Sequence, residues 1–399
     1  RTGMMRQIII EIMMIFSLSQ SKVRVASMNN ISRDIPALTG LRFVAAFYVF
    51  LFHIHIRMPL TENTFLAGII GQGAIGMTIF FVLSGFILTH RYSYRDYSDR
   101  SFIVSRIARI YPIYIASFLL AVPVLYFQLD DFRFGIFSAV IQVIVIFVTV
   151  VTMLQAWFPM LFSYVNNSAS WSLSVEAFFY ATFLLIEKRV VSLGRTELIG
   201  LGIILYVVSS GTAIPYYSFE NRPTHGLQIF YAMPIFRLAE FVLGMVIYHL
   251  VKKTDLASKV NTSHICILLL IACIYLGTFG PNLPLFIGHN WIVIPLVSSL
   301  LVLLSCQKNS LFEKFLKSGP MVYLGKISYC FYCFQFHVLT VLVYVSKNQE
   351  IDPLTFFTIS FFCLLTISSF FYHVLEEPAR KFISRKYSSP CRQIEGATV

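Results

Sequence analysis

The sequence predicts an all-α protein, a polytopic transmembrane helix bundle, and three observations carry that prediction. Of 399 residues 57% are hydrophobic and only 13% charged, against a charged share of about 25% in soluble domains. Mean hydropathy is +0.74. Apolar runs of bilayer-crossing length recur from about residue 37 to 375, since about 20 apolar residues span the hydrocarbon core as a helix. No polar stretch between them is long enough for a separate globule, so one membrane domain is expected.

Taken in order, spans fall near 37–56, 68–89, 111–128, 173–187, 197–214, 229–251, 262–279, 290–306, 327–346 and 354–375. Basic residues favour the cytoplasmic side of a membrane, and their clusters assign the loops. Lys22, Arg24 and Arg33 precede the first span, and Arg91, Arg95, Arg100, Arg106 and Arg109 follow the second. Lys188, Arg189 and Arg195 come next, then Lys252, Lys253 and Lys259, then Lys308, Lys314 and Lys317, and finally Arg380, Lys381, Arg385 and Lys386. Ten crossings with both termini cytoplasmic satisfy every cluster. An additional apolar segment, 136–165, would invert all later loops if it crossed. As a re-entrant, lateral or tightly folded element it leaves the charge pattern intact.

Outside the spans, residues 1–32 read as a cytoplasmic or interfacial extension. Glu11 interrupts its apolar stretch "IIIEIMMIF" and no small-residue cleavage site follows, unlike a secretory signal. Residues 33–382 form the membrane domain and 383–399 a basic cytoplasmic tail. The net charge of +12 sits mainly in loops and tails, which suits the anionic headgroups of membrane lipids and not nucleic acid. The seven cysteines are irregularly spaced, so no disulfide framework is expected; Cys330 and Cys333 form a lone C-x-x-C without the second pair that a metal site wants, and no metal is expected.

Several polar groups interrupt the apolar pattern. In "GLRFVAAFYVFLFHIH" (40–55), Arg42 and His53 lie eleven residues apart. That is three helical turns plus about 20°, so both share one face, separated by about 16 Å along the axis. Intramembrane ionisable groups usually mark a pathway or site, which suggests that both look into one interior cavity. Arg42 also reads as an interfacial snorkeller, and His53 as a buried histidine bonded to a backbone carbonyl. His55 lies about 200° away and reads as interfacial. In "GMTIFFVLSGFILTHRY" (76–92), Ser84 and Gly85 read as small residues that let helices approach.

"RIARIYPIY" (106–114) sets Arg106 and Arg109 three apart at a predicted helix start, where two guanidiniums beside free amides make a phosphate clamp. Ordinary positive-inside charge is the alternative. Glu176, in "NNSASWSLSVEAFFY" (166–180), is either a solvated end group or a carboxylate that orients a histidine or takes a proton from a hydroxyl. Arg237 and Glu240, three apart in "PIFRLAEFVLGM" (234–245), read as a structural pair.

Together these segments resemble the acyltransferase-3 family of integral membrane O-acyltransferases, from about 33 to 380. The resemblance rests on the R-x10-H of Arg42 and His53, "FFVLSGF" (80–86), "RIARIYPIY", "LQAW" (154–157), "SWSLSVEAFFY" (170–180), "FRLAEFVLGM" (236–245), "LGKISYCFY" (324–332) and "EEPARK" (376–381), in that order along the chain. It implies transfer of an acetyl or short acyl group from cytoplasmic acyl-CoA, acetyl-CoA above all, to a hydroxyl of a glycan at the outer leaflet of a bacterial inner membrane. Lipopolysaccharide O-antigen is the first candidate acceptor. His53 would be the central catalytic residue, with Arg42 as its partner and Glu176 beside them. Arg106, Arg109 and Tyr111 would hold the donor, and Trp171 and Ser172 the acceptor. Where many relatives carry a histidine after the "SY..Y" motif, this chain has Gln335, with His337 two positions on. A proton-coupled transporter of a glycan or small metabolite is the rival reading, because it too needs buried Arg, His and Glu on about ten helices.

Overall fold

The computed structural model describes residues 35–128, 136–161, 170–212, 214, 226–280, 289–306, 310–347, 351–387 and 392–393. The N-terminal extension and most of the basic tail lie outside the described residues. From Pro36 onward the chain forms one unit, an all-α bundle whose one strand pairing is the short match of Arg95–Asp96 with Arg392–Gln393 among the described residues.

A helix occupies every predicted span. In chain order they are α1 (Pro36–His55), α2 (Thr64–Gly71), α3 (Gly76–Tyr92), α4 (Asp99–Gln128), α5 (Ile136–Val151), α6 (Ser170–Val190), α7 (Arg195–Gly211) and α8 (Gly226–Ala232). There follow α9 (Pro234–Lys253), α10 (Thr262–Phe279), α11 (Asn290–Ser305), α12 (Leu311–Leu316), α13 (Gly319–Ser346), α14 (Pro353–Phe371) and α15 (Glu377–Tyr387). Among the described residues, seven stretches are long and apolar enough to cross a membrane, with shorter apolar helices at Val140–Val151 and Asn290–Ser305.

Three boundaries differ from the periodicity reading. The second span is two helices, because Gly71, Gly73 and Gly76 interrupt it with a 3-10 turn at Gly73–Ile75. The sixth is split before Pro234, which takes the first helical position where no amide is needed. α4 begins at Asp99, twelve residues before the predicted 111, so its polar first turns are helical too. The additional apolar segment contains the sixteen-residue α5, followed by 3-10 turns at Gln155–Trp157 and Pro159–Leu161. Met153, at φ 57°, makes the left-handed turn between them, and its carbonyl accepts a hydrogen bond from Ser174 Oγ.

Two helix seams organise the bundle. α3 packs most extensively on α9, and α1 on α13. Hydrocarbon gives helices little hydrophobic reason to associate, so close backbone approach between small residues has to supply dispersion contact. At the first seam the glycines are reciprocal: a Cβ on Gly85 would strike the Phe241 carbonyl, and one on Gly244 the Val82 carbonyl. At the second, Gly325 sits against the Thr39 carbonyl in the same way. Phe43 and Phe50 of α1 stack edge-on against Phe331 of α13, and Phe361 of α14 closes the cluster. α10 buries Ile265, Ala272, Leu276 and Gly277 and turns Ile267, Leu270 and Ile274 outward, where lipid is the natural solvent.

Gly244→Val should lower the thermal unfolding midpoint in detergent, at a cost of about 3 kcal/mol for overpacking. Gly200→Val, on α7 where a Cβ would meet nothing within 4 Å, should leave the midpoint unchanged.

Candidate functional site

Five helices converge on a partly open cavity whose empty volume, open solvent included, is about 730 Å³. α1 contributes Arg42, α4 contributes Arg106 and Arg109, and α6 contributes Ser172, Glu176 and Tyr180 at four-residue spacing, which is one helix face. α13 supplies Ser328, Tyr329 and Tyr332, while Met77, Phe80, Phe81, Ser84 and Leu88 of α3 form the apolar wall.

The polar groups are held in distinct ways. Arg109 Nη1 pairs with Glu376 Oε1 at 3.1 Å, and Cys330 Sγ donates to the other carboxylate oxygen at 3.1 Å. Glu376 comes from a π-helical turn, Tyr372–Glu376, that joins α14 to α15. Arg106 lies over the rings of Tyr92 and Tyr180, 5.4 and 5.7 Å from their centroids, and donates to the Tyr92 hydroxyl at 3.2 Å. Glu176 accepts from the Tyr180 hydroxyl at 3.2 Å. Ser172 and Tyr332 share a hydrogen bond of 2.8 Å, and the Tyr329 hydroxyl donates to the Ile110 carbonyl at 2.7 Å. Arg42 has no ion pair within 4 Å among the described residues; Glu176, Arg106 and Arg109 are its charged neighbours. Three guanidiniums face Glu176 in the cavity and Glu376 behind Arg109, which leaves a positive excess suited to an anion.

His53 is elsewhere. It is buried, and its Nδ1 lies 2.9 Å from Gln335 Oε1 on α13. It shares with Arg42 the side of α1 that meets α13, but the two do not line one cavity. The stripe between them is Ala45, Ala46 and Val49, all buried, and Gly76 at the start of α3 presses against Val49 and the Ala45 carbonyl. The expected common chamber is thus closed by packing. Glu176 is correspondingly a neighbour of Arg42, whereas the charged side chain that bonds to His53, through its backbone carbonyl, is Arg57. His55 accepts from the Leu60 amide at 3.1 Å.

Other expected positions also move. Because α4 starts at Asp99, Arg106 and Arg109 sit about two and three turns inside a helix, where the amides are already bonded; the guanidiniums act without a helix-start nest. Tyr111 donates its hydroxyl to the Val151 carbonyl at 3.0 Å and does not line the cavity. Trp171 borders a smaller neighbouring space of about 280 Å³ with Gln155, Phe158 and Ala232, its ring 4.5 Å from that of Tyr231. Ser84 lines the cavity, whereas Gly85 packs. Tyr180, Ser328, Tyr329, Tyr332 and Glu376 enter the site without having been singled out, although "SYCFY" and "EEPARK" contain four of them and Glu176–Tyr180 is a plain i,i+4 pair.

Arg237 and Glu240 form a separate buried network. They pair at 2.9 Å, Arg237 also donates to Thr78 Oγ1 at 3.1 Å, and Asn290 Nδ2 donates to Glu240 Oε1 at 2.8 Å. The guanidinium is also 5.1 Å from the Phe81 ring centroid. This network ties α9 to α3 and α11.

An apolar helical bundle with stretches of membrane-crossing length around an arginine-lined cavity defines an integral membrane protein. The acyltransferase domain family, of acyltransferase-3 type, matches residues 35–373, and the chain belongs to that family. It is similar to acyltransferase MdmB of Streptomyces mycarofaciens, 29% identical over 318 residues that cover 76% of this chain and 79% of MdmB. An uncharacterized protein of Haemophilus influenzae is 26% identical over 253 residues, 59% of this chain and all of that protein. The O-acetyltransferase OatA of Staphylococcus aureus is 23% identical over 410 residues, 91% of this chain, and the chain spans 61% of OatA's length. No solved structure matches the chain.

Arg237→Met should destabilise the fold by about 3–5 kcal/mol, because it strands a buried carboxylate. Arg237→Met combined with Glu240→Leu should recover much of that loss in the same thermal unfolding measurement.

Proposed function

We propose that this membrane acyltransferase moves an acetyl or short acyl group from acyl-CoA to a hydroxyl of an exported or surface glycan. Lipopolysaccharide O-antigen is the first candidate acceptor. The observation that carries the reading is the cavity lined by Arg42, Arg106 and Arg109, whose positive excess suits the phosphates of a nucleotide-bearing donor. The positive-inside pattern of the flanking loops supports an orientation with this cavity towards the cytoplasm, where the donor is made, and with both termini on that side of the inner membrane. Tyr329, Tyr332 and Ser172 offer hydroxyls along the same wall.

In this reading the phosphates stay among the arginines while the uncharged arm of the donor extends along the face of α1 that meets α3 and α13 towards His53. The helical rise from Arg42 to His53 is about 16 Å, so the reacting thioester sits well away from the charge that holds its carrier. His53 removes the proton of the acceptor hydroxyl as the oxygen attacks the thioester carbonyl. The carbon–sulfur bond breaks, and the thiolate takes up the proton to leave as free thiol. Initial transfer of the acyl group to the imidazole, then to the hydroxyl, gives the same balance. Opening the seam between Val49 and Gly76 gives the arm its path. Glu176 acts here as the counter-charge that orders Arg42 and Tyr180, not as a partner of the imidazole. The names of MdmB and OatA support acyl and acetyl transfer; the transporter reading has no comparable support.

Membranes containing the chain, given labelled acetyl-CoA and a glycan acceptor, should label the glycan. His53→Ala, inserted to the same level, should reduce labelling by ~10³-fold; near-normal labelling overturns the role of His53. Arg106→Ala combined with Arg109→Ala should raise the KM for acyl-CoA by about 10-fold or more, since charge-assisted hydrogen bonds are lost, and leave the KM for the acceptor unchanged. An unaltered donor KM overturns the phosphate site.

A further inference from the structure

Gln335 bonds on both sides, and the two bonds together define the protonation of the neighbouring imidazole. The side chain is buried at 1% exposure. Its Nε2 lies 3.2 Å from the Ala46 carbonyl oxygen of α1, and its Oε1 lies 2.9 Å from His53 Nδ1. A carbonyl oxygen only accepts, so the amide nitrogen must be the end that faces Ala46. The amide oxygen is then the end that faces His53, and it too only accepts. His53 Nδ1 must therefore carry the hydrogen of the neutral ring, which leaves a lone pair on Nε2. Nε2 has no hydrogen-bond partner among the described residues. The ring is steadied further through its backbone, whose carbonyl accepts from Arg57 Nη1 at 2.8 Å.

We propose that Gln335 is a positioning residue for acyl transfer: anchored on the Ala46 carbonyl, it holds His53 as the Nδ1–H tautomer and presents Nε2 as the atom that takes the proton or the acyl group. This rests on the reading of His53 as the transfer residue. When Nε2 takes the hydroxyl proton, the Nδ1–H bond to Gln335 Oε1 persists, so the glutamine neither gains nor gives a proton during the cycle. The anchor is a carbonyl on the same helix as the histidine, about two turns before it. Tautomer and seam packing are therefore set by one side chain.

The test combines nitrogen NMR with kinetics on the full chain in lipid nanodiscs. With histidine labelled at both ring nitrogens, and His53→Ala used to assign its signals, the neutral His53 ring should show a protonated Nδ1 and a bare Nε2. Gln335→Glu, which when ionised keeps an acceptor for Nδ1–H but loses the donation to the Ala46 carbonyl, should keep the Nδ1–H pattern and lower kcat by less than Gln335→Leu does. Gln335→Leu, which orients neither nitrogen, should give mixed tautomers and lower kcat by ~10²-fold or more, as a wrongly tautomerised base does, with the donor KM unchanged. A neutral ring protonated at Nε2 in the unmodified chain overturns the proposal. So does full kcat in Gln335→Leu while His53→Ala is inactive, which would leave the role of His53 standing. Retained transfer in His53→Ala would instead overturn the reading beneath it.

Discussion

Inside hydrocarbon every polar group must find its partner within the protein, and this one constraint arranges most of the molecule. Charges are not scattered among the helices; they are gathered where seams meet and each can be answered. Arg237 finds Glu240 and Thr78 at the α3–α9 seam, beside the glycine pair that brings those backbones together. Arg109 finds Glu376, and His53 finds Gln335, along the helices that flank the α1–α13 contact. Arg42 is the contrast: it has no ion pair within 4 Å among the described residues and faces the cavity among Arg106, Arg109 and a single carboxylate on that lining, Glu176.

Much of the architecture is legible in the sequence because span length and positive charge are physical quantities that a linear chain displays. All ten runs carry helices, and the Arg42–His53 spacing does place both side chains towards α13. What a linear pattern does not display is who packs against whom. Ala45, Ala46 and Val49 look like any other small or branched residues, yet with Gly76 they wall off the histidine from the arginine. Likewise, the early start of α4 is hidden because its first turns are polar, and hydropathy reports burial in lipid, not helicity. Glu376 is unreadable for a different reason: its direction depends on a π-helical turn, a one-residue change of register that composition does not reveal.

The separation between the arginine cavity and the imidazole bears on chemistry as well as on folding. A single chamber holding phosphate, thioester and acceptor would hydrate all three. In the proposed reaction, dividing it would leave the charged end of the donor near water and the reacting end in a drier place, where the imidazole would meet the alcohol. The cost of such a division, in that proposal, is that the contact of Gly76 with Val49 and the Ala45 carbonyl has to open.

The π-helical turn at Tyr372–Glu376 has a last consequence. Without its wider turn, the helix that follows α14 would rotate by about 100° for each residue removed, and the Glu376 carboxylate would swing away from Arg109 towards lipid. The register of the chain through this turn, more than the identity of any one exposed side chain beyond it, is therefore what keeps the Glu376 carboxylate on Arg109.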